Sequence, residues 1–255
     1  MRLQVLGCGD AFGSGGRFHT CFHVSAGSAS FLVDCGASSL IAMRRFGVDP
    51  NTIRTVLISH LHGDHFGGLP FLLLDAQFVS RRTAPLKIAG PPTLPARLQV
   101  LRETMFPGST ETDLGFPLDI VELEPQVTTQ VNGVLVTAYP VRHPSRAPSF
   151  ALRCQVEHRA LCYSGDTEWG PVLIEAARGA DLFIAECYTF DRPVPFHSSW
   201  MSLREHLQEI GAKRVLLTHM STDMLEQVAI DGAERAEDGM VLEIWPDTGR
   251  QGTGA

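Results

Sequence analysis

The chain predicts an α/β protein built mainly from short strands, and three observations carry that prediction. Apolar and β-branched runs of strand length recur along the whole 255-residue sequence. Stretches with helical spacing follow strands toward each end, whereas the middle reads mostly as hairpins. The composition, 44% hydrophobic and 19% charged, supplies enough apolar material for a substantial core and no disordered tract. Two sheets packed face to face with helices outside would bury such strands on both faces, and the strand pattern is compatible with that four-layered arrangement.

Residues 3–6 form the first predicted strand, which enters a glycine-rich loop at 7–17. Residues 31–34 form the next, followed by helical spacing over 38–46 that stops at Gly47. A strand at 55–59 precedes a helix over 67–79 whose start is blurred by Pro70. A strand at 86–89 leads to a helix over 93–105, bounded by Pro91-Pro92 and by Pro107-Gly108. Strands follow at 118–123, 134–141, 150–156 and 160–164. A helix over 171–178 ends at Gly179 and leads to a strand at 182–186. Ser202-Leu203-Arg204-Glu205 has the form of a capping box opening a helix that closes at Gly211-Ala212. Strands at 214–218 and 241–245 complete the series. Residues 247–255 are polar and Gly-rich, a flexible tail to one domain spanning 1–246, with no internal repeat or linker.

Net charge is −7, so attraction to a polyanion is not built into the whole molecule and a nucleic-acid partner would need a local basic patch. The compact candidates are Arg44-Arg45, Arg81-Arg82 and Arg142 with Arg146; the first two read as solvated helix ends. The longest apolar run, Phe71-Leu72-Leu73-Leu74, is far too short to cross a bilayer, and residues 1–7 read as a strand rather than a leader. A cytoplasmic protein with no membrane partner is expected. The six cysteines show no C-x-x-C pair and fall in apolar patterns, which predicts buried thiols.

The most informative stretch is Ser59-His60-Leu61-His62-Gly63-Asp64-His65, directly after an apolar strand. Alternation would put His60 and His62 on one side of the chain, and Gly63 would let the backbone turn so that Asp64 and His65 reach a second position. Catalytic sites of this kind take three protein ligands and keep one position open, so one ion does not use all four donors, whereas two adjacent ions can. Further donors stand just past later strands: His143, Asp166 in Ser164-Gly165-Asp166-Thr167, and His219. Each alone reads equally as a turn residue.

Together these residues resemble the metallo-β-lactamase superfamily, through His60-Leu61-His62-Gly63-Asp64-His65 and the spacing of His143, Asp166 and His219. The resemblance implies an αββα sandwich and a dinuclear centre. His60, His62 and His143 would hold one metal and Asp64, His65 and His219 the other, with Asp166 bridging. Nitrogen and carboxylate donors without sulfur suit two divalent ions, zinc first, with manganese or iron as alternatives. Asp34 occupies the place of the family's early aspartate, either holding a histidine or serving as a plain turn residue. The implied chemistry is hydrolysis by a hydroxide shared between two ions, acting on a phosphodiester. The alternative is a lactone, ester or thioester hydrolase of the same fold, and a third reading is a non-catalytic metal-binding protein.

The ribonuclease Z branch is the nearest resemblance. There a strand-end Glu followed by a His-Ser-Thr segment supplies the acid that protonates the leaving oxygen, and Glu186 with His197-Ser198-Ser199 is similar in order and spacing. Cys187 stands where that branch commonly has Ala, and Ser199 where it has Thr. The resemblance makes Asp64, His197 and Glu186 the catalytic candidates; a Glu beside His197 would favour the charged imidazole as a proton donor. The loop 7–17 resembles that branch's first loop, an active-site wall on which Arg17 would face a phosphate or solvent. Common bacterial members carry a tRNA-gripping arm between the positions of His143 and Asp166, where only 22 residues lie here. A small-molecule or nucleotide phosphodiester, such as a cyclic one, is therefore expected ahead of tRNA. Related phosphodiesterases of phosphonate metabolism have a cysteine-rich zinc site near the N-terminus, where this chain has only Cys8 and Cys21. The loop 106–116 could serve a homodimer contact or a lid, or be an ordinary surface loop.

Overall fold

The computed structural model describes residues 1–244, so Trp245 and the tail expected at 247–255 lie outside the described residues. The chain runs β1 (Arg2–Gly7), β2 (Cys21–Ala26), β3 (Ala29–Val33), α1 (Ser39–Arg45), β4 (Thr55–Leu57), α2 (Gly63–Phe66) and α3 (Leu69–Phe78). It continues through β5 (Leu86–Gly90), α4 (Leu94–Met105), β6 (Leu118–Glu122), β7 (Thr128–Val131), β8 (Val134–Val141), β9 (Ser149–Val156) and β10 (Arg159–Tyr163). The last part holds α5 (Val172–Ala177), β11 (Leu182–Glu186), α6 (Trp200–Arg204), α7 (Leu207–Ile210), β12 (Val215–Thr218), α8 (Thr222–Leu225), β13 (Glu234–Arg235) and β14 (Val241–Glu243).

Two seven-stranded mixed sheets result, in the orders β14-β1-β2-β3-β4-β5-β6 and β13-β12-β11-β10-β9-β8-β7. Strand alternation divides their side chains between layers. Phe31 and Val33 point between the sheets, where Phe150, Leu152, Tyr163, Leu182 and Ile184 meet them. Leu32 points outward to Ala42, Met43, Leu72 and Leu98 of the helices over the first sheet. Phe183, Ala185 and Leu217 point outward beneath α5 to α8. The fold is the αββα sandwich of the metallo-β-lactamase type.

The strands β3 to β6 are mutually parallel, as are β10 to β12, and β8 points the same way as β10 because β9 is antiparallel to both. Parallel strands deliver their C-terminal ends to one edge, which gathers the loops after β4, β8, β10, β11 and β12 into one place.

Several local expectations are corrected. Ser202 does not cap a helix: Ser199, extended at φ −101°, accepts from the Ser202 amide at 3.3 Å and opens α6 three residues earlier. The helix then breaks, and α7 ends separately at Gly211 in the left-handed region. Strand β4 stops at Leu57, and the turn after His62 is the opening of α2, not a conformation that only glycine allows. Strands β7 and β13, short and polar, were not legible, and β2 was missed although Cys21, Phe22 and Val24 in it are buried. Arg82 is not a solvated helix end; its guanidinium is buried and donates to the carbonyls of Pro50, Ile53, Ala84 and Pro85. All six cysteines are free and buried. The segment 106–116 is folded against the body, with Phe106 edge-on to Phe71 and Phe116 buried. Among the described residues no helix is long and apolar enough to cross a membrane.

Candidate metal centre and active site

Strand β4 sits inside the first sheet between β3 and β5, so the chain leaves it already buried. The turn after β3 packs directly under the histidine run. Its Cys35 amide donates to the His65 carbonyl, and the Gly68 amide beyond the run donates back to the Cys35 carbonyl. A Cβ on Gly36 would lie 2.2 Å from the Asp64 carbonyl oxygen, so this contact requires glycine. Asp34, in the left-handed region at φ 59° and fully buried, accepts from the Ser59 amide at 2.7 Å and the Ser59 hydroxyl at 2.8 Å. Its second oxygen lies 2.7 Å from His65 Nδ1, which fixes the ring and leaves Nε2 as the free nitrogen.

His60, His62 and His143 present one ring nitrogen each to a common point, and Asp64, His65, Asp166 and His219 converge on a second. Asp166 Oδ2 lies between them: 3.3 Å from His65 Nε2, 3.3 Å from His219 Nε2, 3.8 Å from His60 Nε2 and 3.9 Å from His143 Nε2. Asp64 Oδ2 is 3.1 Å from His65 Nε2 and 3.2 Å from His219 Nε2. Gly165 makes the Asp166 turn possible, with φ at 61° and no room for a Cβ, which would meet the Phe150 carbonyl at 2.5 Å. His219 itself sits at φ 56°, a strained backbone for histidine that its amide bond to the Cys8 carbonyl helps to hold. His143 is oriented by its Nδ1, 3.1 Å from the Phe196 carbonyl.

The electrostatics divide the histidines. Burial pushes His60 well below the ordinary imidazole range, lowers His62, and takes His143 down to about 4, so these three are neutral donors at pH 7. Burial would also lower His65 and His219, but Asp166 with Asp64 outweighs it and raises both. Burial would raise Asp166, and the surrounding imidazoles His219 and His65 instead hold it far down as a carboxylate. Four polar atoms, His60 Nε2, His65 Nε2, Asp166 Oδ1 and His219 Nδ1, are buried without a hydrogen bond. Each such atom costs about 1–3 kcal/mol, and a cluster of imidazoles and carboxylates left so fits divalent cations held among them, which would take the place of the protons on His65 and His219.

Glu186 closes β11 beneath this cluster. Its Oε1 bonds His197 Nδ1 and lies 3.7 Å from His219 Nδ1, and its backbone amide donates to Ser164 Oγ at 2.8 Å. The expected bias toward a charged His197 is not what this environment produces. Burial, then the negative charge of Asp166, pushes the Glu186 carboxyl well up, and burial lowers His197, so the low dielectric favours a neutral pair. His197 is flanked by Tyr188 and His143, with ring centroids 4.9 and 5.0 Å away.

A cleft of about 260 Å³ opens over the cluster, lined by His62, Asp64, His143, Asp166, His197 and His219 together with Ala11, Phe12, Tyr188 and Val194. Arg17 is half-buried. It donates to the Ala236 carbonyl at 2.6 Å and ties the first loop to β13's end of the second sheet. The exposed Phe12 and the tyrosine Tyr188 were missed as site residues; the first loop's glycines marked a wall without saying which side chain it presents.

Fold and site together define the ribonuclease Z-like branch of the metallo-β-lactamase fold. Within it the chain belongs to the anti-Pycsar protein Apyc1 family, whose model matches residues 1–239. Ribonuclease Z of Methanothermobacter thermautotrophicus is 26% identical over 303 aligned positions that cover 96% of this chain and 97% of the relative. Human tRNase Z, short form, superposes with a TM-score of 0.78 at 27% identity, over 96% of this chain and 99% of that one. A diphosphatase of the PhnP family superposes at 0.74 and 19% identity, over 95% and 97%, a likeness of fold.

Proposed function

We propose that this chain is a metal-dependent hydrolase with a dinuclear centre that cleaves small phosphodiesters, cyclic or nucleotide ones in particular. The observation that carries the reading is the placement of His197, held by the buried Glu186, on the same cleft as two converging donor sets. His60, His62 and His143 are the ligands for one ion, Asp64, His65 and His219 for the other, and Asp166 lies between. The donor set suits zinc, and manganese or iron as well. When bound, such an ion pair supplies an acidified water for attack and neutralises charge on the phosphoryl oxygens.

The chain's own residues supply the rest. Asp34 and the Phe196 carbonyl hold His65 and His143 in the ring orientations that ligation needs. Glu186 occupies His197 Nδ1, leaving Nε2 toward the cleft. In the neutral pair Glu186 carries a proton against Nδ1 and the imidazole carries its own on Nε2. Donation from Nε2 to the departing alkoxide, with transfer of the Glu186 proton to Nδ1, leaves a carboxylate and a neutral ring, so the protons balance.

The size of the substrate follows from the second sheet. Strands β9 and β10 are joined through Glu157 and His158 alone, and no arm stands there to grip a large RNA. The net charge of −7 points the same way, because large RNAs are bound through many phosphate contacts. The inter-sheet core, continuous across both halves of the described residues, supports a single domain. Six free thiols suit a reducing compartment and hence the cytoplasm.

The test is metal content together with turnover of bis-p-nitrophenyl phosphate and of a chromogenic lactone or ester. Two equivalents of metal with preference for the phosphodiester are expected. Preference for the ester would overturn the reading and leave Glu186 and His197 as architecture.

A further inference from the structure

The first loop presents one side chain whose exposure the mechanism does not explain. Phe12 is 82% exposed, yet it lines the same cleft as His62, Asp64, His143 and His219. Among the described residues no other strongly exposed large apolar side chain lines that cleft. An aromatic ring left in water at a catalytic mouth is a binding surface that awaits an apolar face.

The loop is also held rigid in a way its exposure does not require. At its base the Gly9 amide bonds the Phe18 carbonyl at 2.7 Å, and Asp238 accepts from the Cys8 and Phe18 amides at 3.1 and 2.7 Å. At its tip the fully buried Asp10 accepts from the Phe12 amide at 3.2 Å, the Ser14 amide at 2.9 Å and the Ser14 hydroxyl at 2.6 Å. A buried carboxylate thus fixes the backbone of the one residue whose side chain stands free, and a ring ordered beforehand loses little entropy on binding.

We infer that Phe12 is the platform on which the nucleobase of a nucleotide phosphodiester stacks, and so the residue that gives this site its preference for nucleotides. The inference rests on the phosphodiesterase reading for its substrate class. At about 260 Å³ the cleft is smaller than the roughly 300–1,000 Å³ of ordinary ligand pockets, so phosphate and sugar fill it and the base projects to the rim where Phe12 stands. Every base has a π-face, so such a platform selects nucleotides as a class rather than one base.

Because the Phe12 side chain is mostly in solvent, its substitution leaves folding intact, and the test is steady-state kinetics of the metal-loaded enzyme. A 3′,5′-cyclic nucleotide is compared with the same cyclic ribose phosphate lacking its base. Phe12→Ala and Phe12→Leu should raise KM for the nucleotide about tenfold and Phe12→Tyr less than about twofold, while kcat and both constants for the base-free substrate stay within about twofold. Independently of turnover, Phe12→Trp should show emission quenched by a nucleoside 5′-monophosphate and not by ribose 5-phosphate. Equal KM changes on both substrates, or no change on either, would overturn the platform, as would an F12W emission blind to the base. Dissociation of an oligomer in F12A would overturn it too, by assigning Phe12 to a contact between copies. Absence of turnover of any phosphodiester by the metal-loaded wild type would instead sink the activity reading, and the F12W titration would still decide the role of Phe12.

Discussion

At His197 the nitrogen bonded to Glu186 faces a carboxyl that burial holds toward its neutral form, so under the proposed reading the pair, and not a free imidazole, would be the proton source. Its contribution should scale with how poor the leaving group is. His197→Ala is expected to lower kcat for an alkyl phosphodiester by about 10²–10⁴-fold. Bis-p-nitrophenyl phosphate, whose phenolate departs without help, should lose far less, and metal content should not change. Equal losses on both substrates would place His197 in positioning or metal retention instead. Asp34 makes a different kind of contribution, since it touches no substrate and holds His65 through a buried bond of 2.7 Å. Asp34→Asn should weaken metal binding by about 10–100-fold in a competitive chelator titration, with turnover recovering at saturating metal.

Between elements, Asp181 is the clearest case of a charge that holds strands together. It stands at the head of β11, accepts from the Ala160 amide at 2.9 Å, and pairs with Arg159 of β10 at 3.2 Å and with Lys213 before β12 at 3.0 Å. Burial raises its pKa, but the Ala160 amide and the Lys213 ammonium outweigh that and leave it below the usual carboxylate range. A folded pKa below the unfolded value stabilises the fold above about pH 4, and that contribution disappears as pH falls through the folded value. Asp181→Asn should therefore cost about 1–3 kcal/mol in urea unfolding at pH 7. The gap from wild type should shrink at pH 3, and turnover at neutral pH should be unaffected. The cap of α6 carries a related lesson: Ser202-Leu203-Arg204-Glu205 has the letters of a capping box, but the chain is already helical at Ser202 because Ser199 takes the cap. Short-range pattern reports compatibility with a cap, and the strand-to-helix path decides which serine is used.

For the whole molecule, the donor cluster links the two sheets, with His60, His62, Asp64 and His65 from the first and His143, Asp166 and His219 from the second. Cations bound there stabilise the folded chain in proportion to their concentration over Kd. Exhaustive chelation should abolish turnover and lower the melting temperature, and added zinc or manganese should restore both. A melting temperature indifferent to metal would place the ions outside this inter-sheet cluster. The two sheets also explain how one edge becomes the active edge, since every functional loop leaves the C-terminal end of a strand that runs in the same sense.

The α/β layering, most strand positions, the histidine run and the family resemblance are all legible in the amino-acid order. Those properties live in local periodicity and in donors spaced a few residues apart, which packing does not rewrite. Which side chains stand beside which is a product of the fold. It set Asp34 against His65, brought the Asp166 oxygen among four imidazoles, turned Arg17 inward to the Ala236 carbonyl, and left Phe12 bare at the cleft mouth. It also set the burial that pushes the Glu186 carboxyl up and His197 down. Such relations depend on distances between segments far apart in the chain and on the dielectric that surrounds them, and neither is encoded in a run of neighbouring residues.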